Sequence, residues 1–106
     1  MSRKSTMQPF EAGDILIGCT LLNDPDDDHA GEGRILQYDR DFQLKGELWT
    51  EGGRHLVGGL AFDRNGLLWA FNDHAVIHVD PDTGRQLPLA EFPPRLFYST
   101  GFAQDG

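Results

Sequence analysis

The chain has 106 residues and a mass of 11.8 kDa, room for one small domain and too little for two. Its 39% hydrophobic and 25% charged residues are a globular rather than a disordered composition, and a net charge of -8 argues against a nucleic-acid backbone or an anionic membrane as partner. A single cysteine, Cys19, excludes an internal disulfide and a cysteine-rich zinc site, and no apolar run approaches the roughly 20 residues of a membrane span. Arg3 and Lys4 are not followed by an apolar stretch, so no signal peptide is visible and the cytoplasm is the default compartment.

After an N-terminal tail at 1–9, the chain repeats itself. FEAGD at 10–14, FDRNG at 62–66 and FAQDG at 102–106 each place a Phe ahead of a tight polar turn. Apolar strands follow the first two, ILIG at 15–18 and LLWA at 67–70, and align Ile15 with Leu67 at an offset of 52. Further on, RILQYD at 34–39 aligns with AVIHVD at 75–80 at an offset of 41, so that His78 matches Gln37. The unit is therefore about 40 residues long, with an acidic insertion at 23–33 in its first copy.

The second copy reads as short strands between turns. Residues 56–62 form a first strand, Asp63 to Gly66 an Asn-Gly-type turn, 67–72 a second strand and 76–80 a third. The run DPDTG at 80–84 turns the chain again: Pro81 sets φ, Asp82 and Thr83 cap, and Gly84 takes positive φ. Residues 86–92 form a fourth strand, at an edge because Pro88 interrupts it, and 95–103 repeat the first strand. No helical period appears. Four antiparallel strands per 40 residues predict an all-β chain of β-propeller blades. Middle strands such as LLWAF at 67–71 are apolar on both faces, as blades covered on both sides require.

GLAFDRNGLLWA at 59–70 followed by VIHVDPDTG at 76–84 resembles the repeat of NHL-type propellers, and is similar to six-bladed gluconolactonase-like and streptogramin-lyase-like propellers. The resemblance covers about 10–106 and implies two four-stranded blades, one at about 10–55 and one at about 56–92, with an extra first strand at 95–103. Counted from inner to outer strand, the chain runs second-third-fourth, then a complete blade, then a leftover first strand. The first blade's own inner strand has only 6–11, containing Pro9, as candidate. The leftover strand of one chain suits that place in another, a head-to-tail contact that closes into a ring. Three copies would make six blades, so a homotrimer is expected, serving as scaffold or ligand-binding platform rather than as an enzyme; the other reading of two blades is a piece of a longer propeller.

In the resembled propellers, ligands bind at a channel mouth lined by the loops that correspond here to 23–33, 51–55, 72–74 and 93–95. His55, Asn72, Asp73, His74 and Arg95 are the channel-face candidates for ligand binding. The alternative function is a metal-dependent lactonase-like or lyase-like site at that mouth. Asp24, Asp26 and Asp28 share the i, i+2, i+4 spacing of a calcium loop, yet His29 stands where such a loop needs Gly and Ile35 where it needs Glu. The stretch reads either as a weak calcium site or as a solvated loop. Asn72, Asp73 and His74 read equally as a turn, and His55 and His78 as structural residues. Cys19 follows Ile15 and Ile17 at period two and is expected inside, and Phe62 and Phe102 are expected to pack between blades.

Overall fold

The computed structural model describes residues 4–21, 32–51, 57–72 and 75–88. They form an all-β structure of six strands: β1 (Ile15–Leu21), β2 (Glu32–Tyr38), β3 (Leu44–Trp49), β4 (Val57–Phe62), β5 (Leu68–Asn72) and β6 (Ala75–Val79). No helix occurs among the described residues. The strands make two antiparallel three-stranded sheets, ordered β1-β2-β3 and β4-β5-β6. A bridge between Val79 and Gln86 begins a further pairing outside β6.

Aspartates start three of the described turns. Asp63 Oδ1 accepts the amides of Asn65 at 2.9 Å and Leu67 at 3.0 Å, and Gly66 takes the left-handed φ of 81° that an L side chain resists. Asp39 Oδ1 accepts the amides of Asp41 and Gln43, and Asp80 Oδ1 that of Asp82. Each carboxylate replaces backbone partners that the turning chain loses, so these turns form wherever their short sequences occur.

The β1–β2 and β5–β6 hairpins are the same unit in the same register. Ile15 lies opposite Tyr38 and Leu16 opposite Gln37; Leu68 lies opposite Val79 and Trp69 opposite His78. With His78 equivalent to Gln37 at the offset of 41, the first strands correspond at 53, not 52: Ile15 matches Leu68 rather than Leu67. The glycines at positive φ that precede these strands, Gly13 and Gly66, are also 53 apart. The two i→i+3 turns start at Glu11 and Asp63, 52 apart, so the second turn takes one residue more before its glycine. An alignment anchored on Phe10 and Phe62 therefore misplaces the strand by one residue, which exchanges its faces.

The sheets pack face to face, with β4 against β1 and β2. Their shared core holds Ile35 and Leu48 from the first sheet, Val57, Leu68, Ala70, Ile77 and Val79 from the second, and Met7 from the N-terminal segment. Gly18 permits the approach: a Cβ there would stand 2.5 Å from the Val57 carbonyl oxygen. Phe62, expected between the blades, is instead 53% exposed, and it pairs with Phe10 in a T-shaped arrangement with ring centroids 6.1 Å apart. Phe102 lies outside the described residues.

Residues before β1 are built into the fold. The Thr6 amide donates to the Glu47 carbonyl, the Glu47 amide to Thr6 Oγ1, and the Trp49 amide to Ser5 Oγ. The segment at 6–11 thus begins along the β3 edge, at the outer side of the sheet, and not beside β1 where the sequence reading put it. It then crosses to the turn after β6, where the Phe10 amide donates to the Pro81 carbonyl. Gly46 and Gly84 let it pass, because a Cβ at either would run into the backbone carbonyls of Thr6 or of Met7 and Gln8.

Candidate functional site

The ligand and metal candidates named from the sequence fall mostly outside the described residues: Asp24, Asp26, Asp28, His55, Asp73, His74 and Arg95. Asn72 closes β5, its backbone paired with Ala75 and Val57. Among the described residues no group of three or more His, Cys, Asp or Glu side chains gathers in a way that suits a metal ion.

Three groups of polar side chains stand out among the described residues. The most enclosed centres on Gln37, which is fully buried although uncharged and polar. Its Oε1 accepts the Gln8 amide, and its Nε2 donates to the Gln8 carbonyl and to Asp14 Oδ2, each at about 3 Å. Asp14 Oδ2 also takes Lys45 Nζ at 2.7 Å, and Lys45 reaches Glu11 at 3.1 Å. Burial pushes the Asp14 carboxyl up, but Lys45, the Glu11 amide and Gln37 together outweigh it and hold the carboxyl below its ordinary value. Asp14 in turn raises the Lys45 ammonium. Every member has its partner, so the group ties the N-terminal segment to β2 and β3 and leaves no acid or base poised for chemistry.

In the second group, the His78 ring stacks on Trp69 with centroids 4.9 Å apart, and its Nε2–H donates to the Pro88 carbonyl. The Trp69 indole donates to Asp63 Oδ2 at 3.0 Å and holds that carboxyl below its ordinary value. In the third, the Arg34 guanidinium lies 5.1 Å from the Trp49 ring centroid and 3.4 Å from Glu47. The Cys19 thiol across the strand, more than Glu47, raises the Arg34 guanidinium above its ordinary value, against the opposing effect of burial. Cys19 is half-buried and lies opposite Arg34, on the face of the first sheet away from the core.

Among the described residues two open surfaces stand out. A cleft of about 410 Å³ runs between the segment at 5–9 and residues 83–86, with Trp49 and Glu51 at its wall. The other surface is the outward face of the first sheet. Strand alternation puts Ile15, Ile17, Leu36 and Tyr38 there, opposite the core-facing Leu16, Gly18, Ile35 and Gln37. Ile17 is 39% exposed, and Leu44 and Phe42 beyond it are 60% and 64% exposed. The aliphatic run ILIG carried the signal for this surface, since it is apolar at consecutive positions and only one of its faces is spent on the core.

No family model, no curated protein and no solved structure matches this chain.

Proposed function

We propose that the chain is a segment of two consecutive β-propeller blades that assembles with copies of itself into a closed ring, a non-catalytic scaffold or ligand-binding platform. The observation that carries this reading is the relation between the repeated hairpins. The residues that β1–β2 turn toward the core, Leu16, Gly18, Ile35 and Gln37, are the equivalents of Trp69, Phe71, Val76 and His78 on the other face of β5–β6, where Val76 is itself buried. The residues that β5–β6 turn toward the core, Leu68, Ala70, Ile77 and Val79, are the equivalents of the outward Ile15, Ile17, Leu36 and Tyr38. One hairpin therefore follows the other head to tail, the way successive blades do. A two-fold pair would bury equivalent faces against each other.

The strand order supports the same reading. The first sheet holds the second, third and fourth strands of the blade pattern, and the second sheet its first, second and third, with Gln86 opening the fourth. Strand β1 is an edge strand among the described residues, and residues 95–103 of another copy, which the sequence reads as a first strand, would suit that edge. Light scattering after size exclusion tests the reading. A mass near three times the 11.8 kDa chain supports the six-bladed ring, and a monomer at all concentrations overturns it.

A further inference from the structure

The two edges of the first sheet differ. Among the described residues β1 has a strand partner on one side only, whereas β3 has β2 on one side and the N-terminal segment along the other. We infer that Ser5 and Thr6 are an edge guard, an autoinhibitory contact that holds the β3 edge shut against strand pairing with a second copy of this chain and leaves β1 as the edge open to it. The closure of β3 stands apart from the ring reading; only the use of β1 rests on it.

Successive residues of a strand direct their amides to alternate sides, and Glu47 and Trp49 share the side away from β2. The Glu47 amide donates to Thr6 Oγ1 at 3.1 Å, the Glu47 carbonyl accepts the Thr6 amide at 2.7 Å, and the Trp49 amide donates to Ser5 Oγ at 2.9 Å. Both edge amides thus end on hydroxyl oxygens, which satisfy them without a backbone ladder. Left open, this row of groups is a template for another strand, and the same edge of a second copy is complementary to it about a two-fold axis. An added strand would only move the open row outward. The N-terminal segment does not, because its own backbone groups are spent inside the chain. The Thr6 carbonyl accepts Gln8 Nε2, the Gln8 amide and carbonyl are both held by Gln37, Pro9 has no N–H, and the Phe10 amide goes to the Pro81 carbonyl. Met7, buried in the shared core, anchors the guard from behind.

The test is the full chain carrying Ser5→Ala and Thr6→Val, which removes both hydroxyl acceptors and leaves Met7, Gln8 and Phe10 in place. Amide hydrogen exchange and light scattering are read on variant and wild type across a range of concentrations. In the dilute variant, exchange at Glu47 and Trp49 is expected to quicken at least tenfold while that at Ile35 and Ile77 is unchanged. As concentration rises, the variant is expected to reach at least twice the wild-type mass, with protection returning at Glu47 and Trp49. Unchanged exchange at these two amides overturns the closure. Faster exchange at every concentration with the wild-type mass overturns the guard. A wild-type chain that is monomeric throughout overturns the ring alone, because this comparison is between variant and wild type. Should the double variant fail to fold, Ser5→Ala by itself frees the Trp49 amide, and the same outcomes at Trp49 decide.

Discussion

Gln37 holds the backbone of Gln8 from both sides: it accepts the Gln8 amide at 2.8 Å and donates to the Gln8 carbonyl at 3.0 Å. The two residues are 29 positions apart, and the pair pins the N-terminal segment across the face of β2. A buried amide side chain in this role replaces the ladder partner that a non-strand segment lacks.

Gln37→Leu keeps the side chain's approximate size and removes all three of its hydrogen bonds. It leaves the Gln8 amide and carbonyl and one Asp14 oxygen without this partner, so a loss of about 1–3 kcal/mol is expected. Urea denaturation of the two proteins measures it, and a loss below 0.5 kcal/mol would mean that water replaces the side chain at about equal free energy.

Gly18 and Gly66 separate two reasons for glycine. At Gly18 an added Cβ meets the Val57 carbonyl oxygen at 2.5 Å and Val57 Cγ1 at 2.9 Å, so Gly18→Ala must push the sheets apart, at about 1–3 kcal/mol. At Gly66 nothing stands within 4 Å, and the cost of Gly66→Ala comes from φ alone, at about 1–2 kcal/mol. Replacement of each by Asn distinguishes them by denaturation. Asn tolerates the left-handed region and recovers most of the loss at Gly66, whereas at Gly18 it is worse than Ala.

Core and surface hydrophobic residues part company at Phe62. Ile77 is fully buried in the shared core, so Ile77→Ala is expected to cost about 2–5 kcal/mol. Phe62 has lost only half its surface to the fold, and Phe62→Ala is expected to cost about 1 kcal/mol. Equal losses in a denaturation series would contradict the exposed placement of Phe62.

Asp14 and Lys45 give the stability a pH dependence at both ends. The folded Asp14 carboxyl lies below its ordinary value of 3.8, so its contribution is present above that pH and is lost as pH falls through the lowered value. The folded Lys45 ammonium lies above its ordinary value of 10.5, so its contribution is present below that pH and is lost as pH rises through the raised value. Asp14→Asn is expected to flatten the acid limb of the melting-temperature profile and to leave Lys45 without its closest carboxylate. An unchanged acid limb would place the acid-labile group elsewhere.

The sequence by itself determined the strands and turns of the described residues. Asp39, Asp63 and Asp80 start turns through their own side chains, Gly66 and Gly84 take the positive φ in the turns of Asp63 and Asp80, and apolar positions mark the strands between them. These are local interactions, so a repeat of about 40 residues was legible without any partner sheet. Tertiary structure decided which face of each hairpin becomes core. ILIG is apolar on both sides, and only the approach of β4 over Gly18 selects Leu16 for the inside and leaves Ile17 outside. The same packing moved the strand alignment from 52 to 53, left Phe62 at the surface and drew the start of the segment at 6–11 onto the β3 edge. Each outcome rests on contacts between residues far apart in the chain, and a one-residue shift in a period-two strand reverses its faces while altering its local pattern hardly at all.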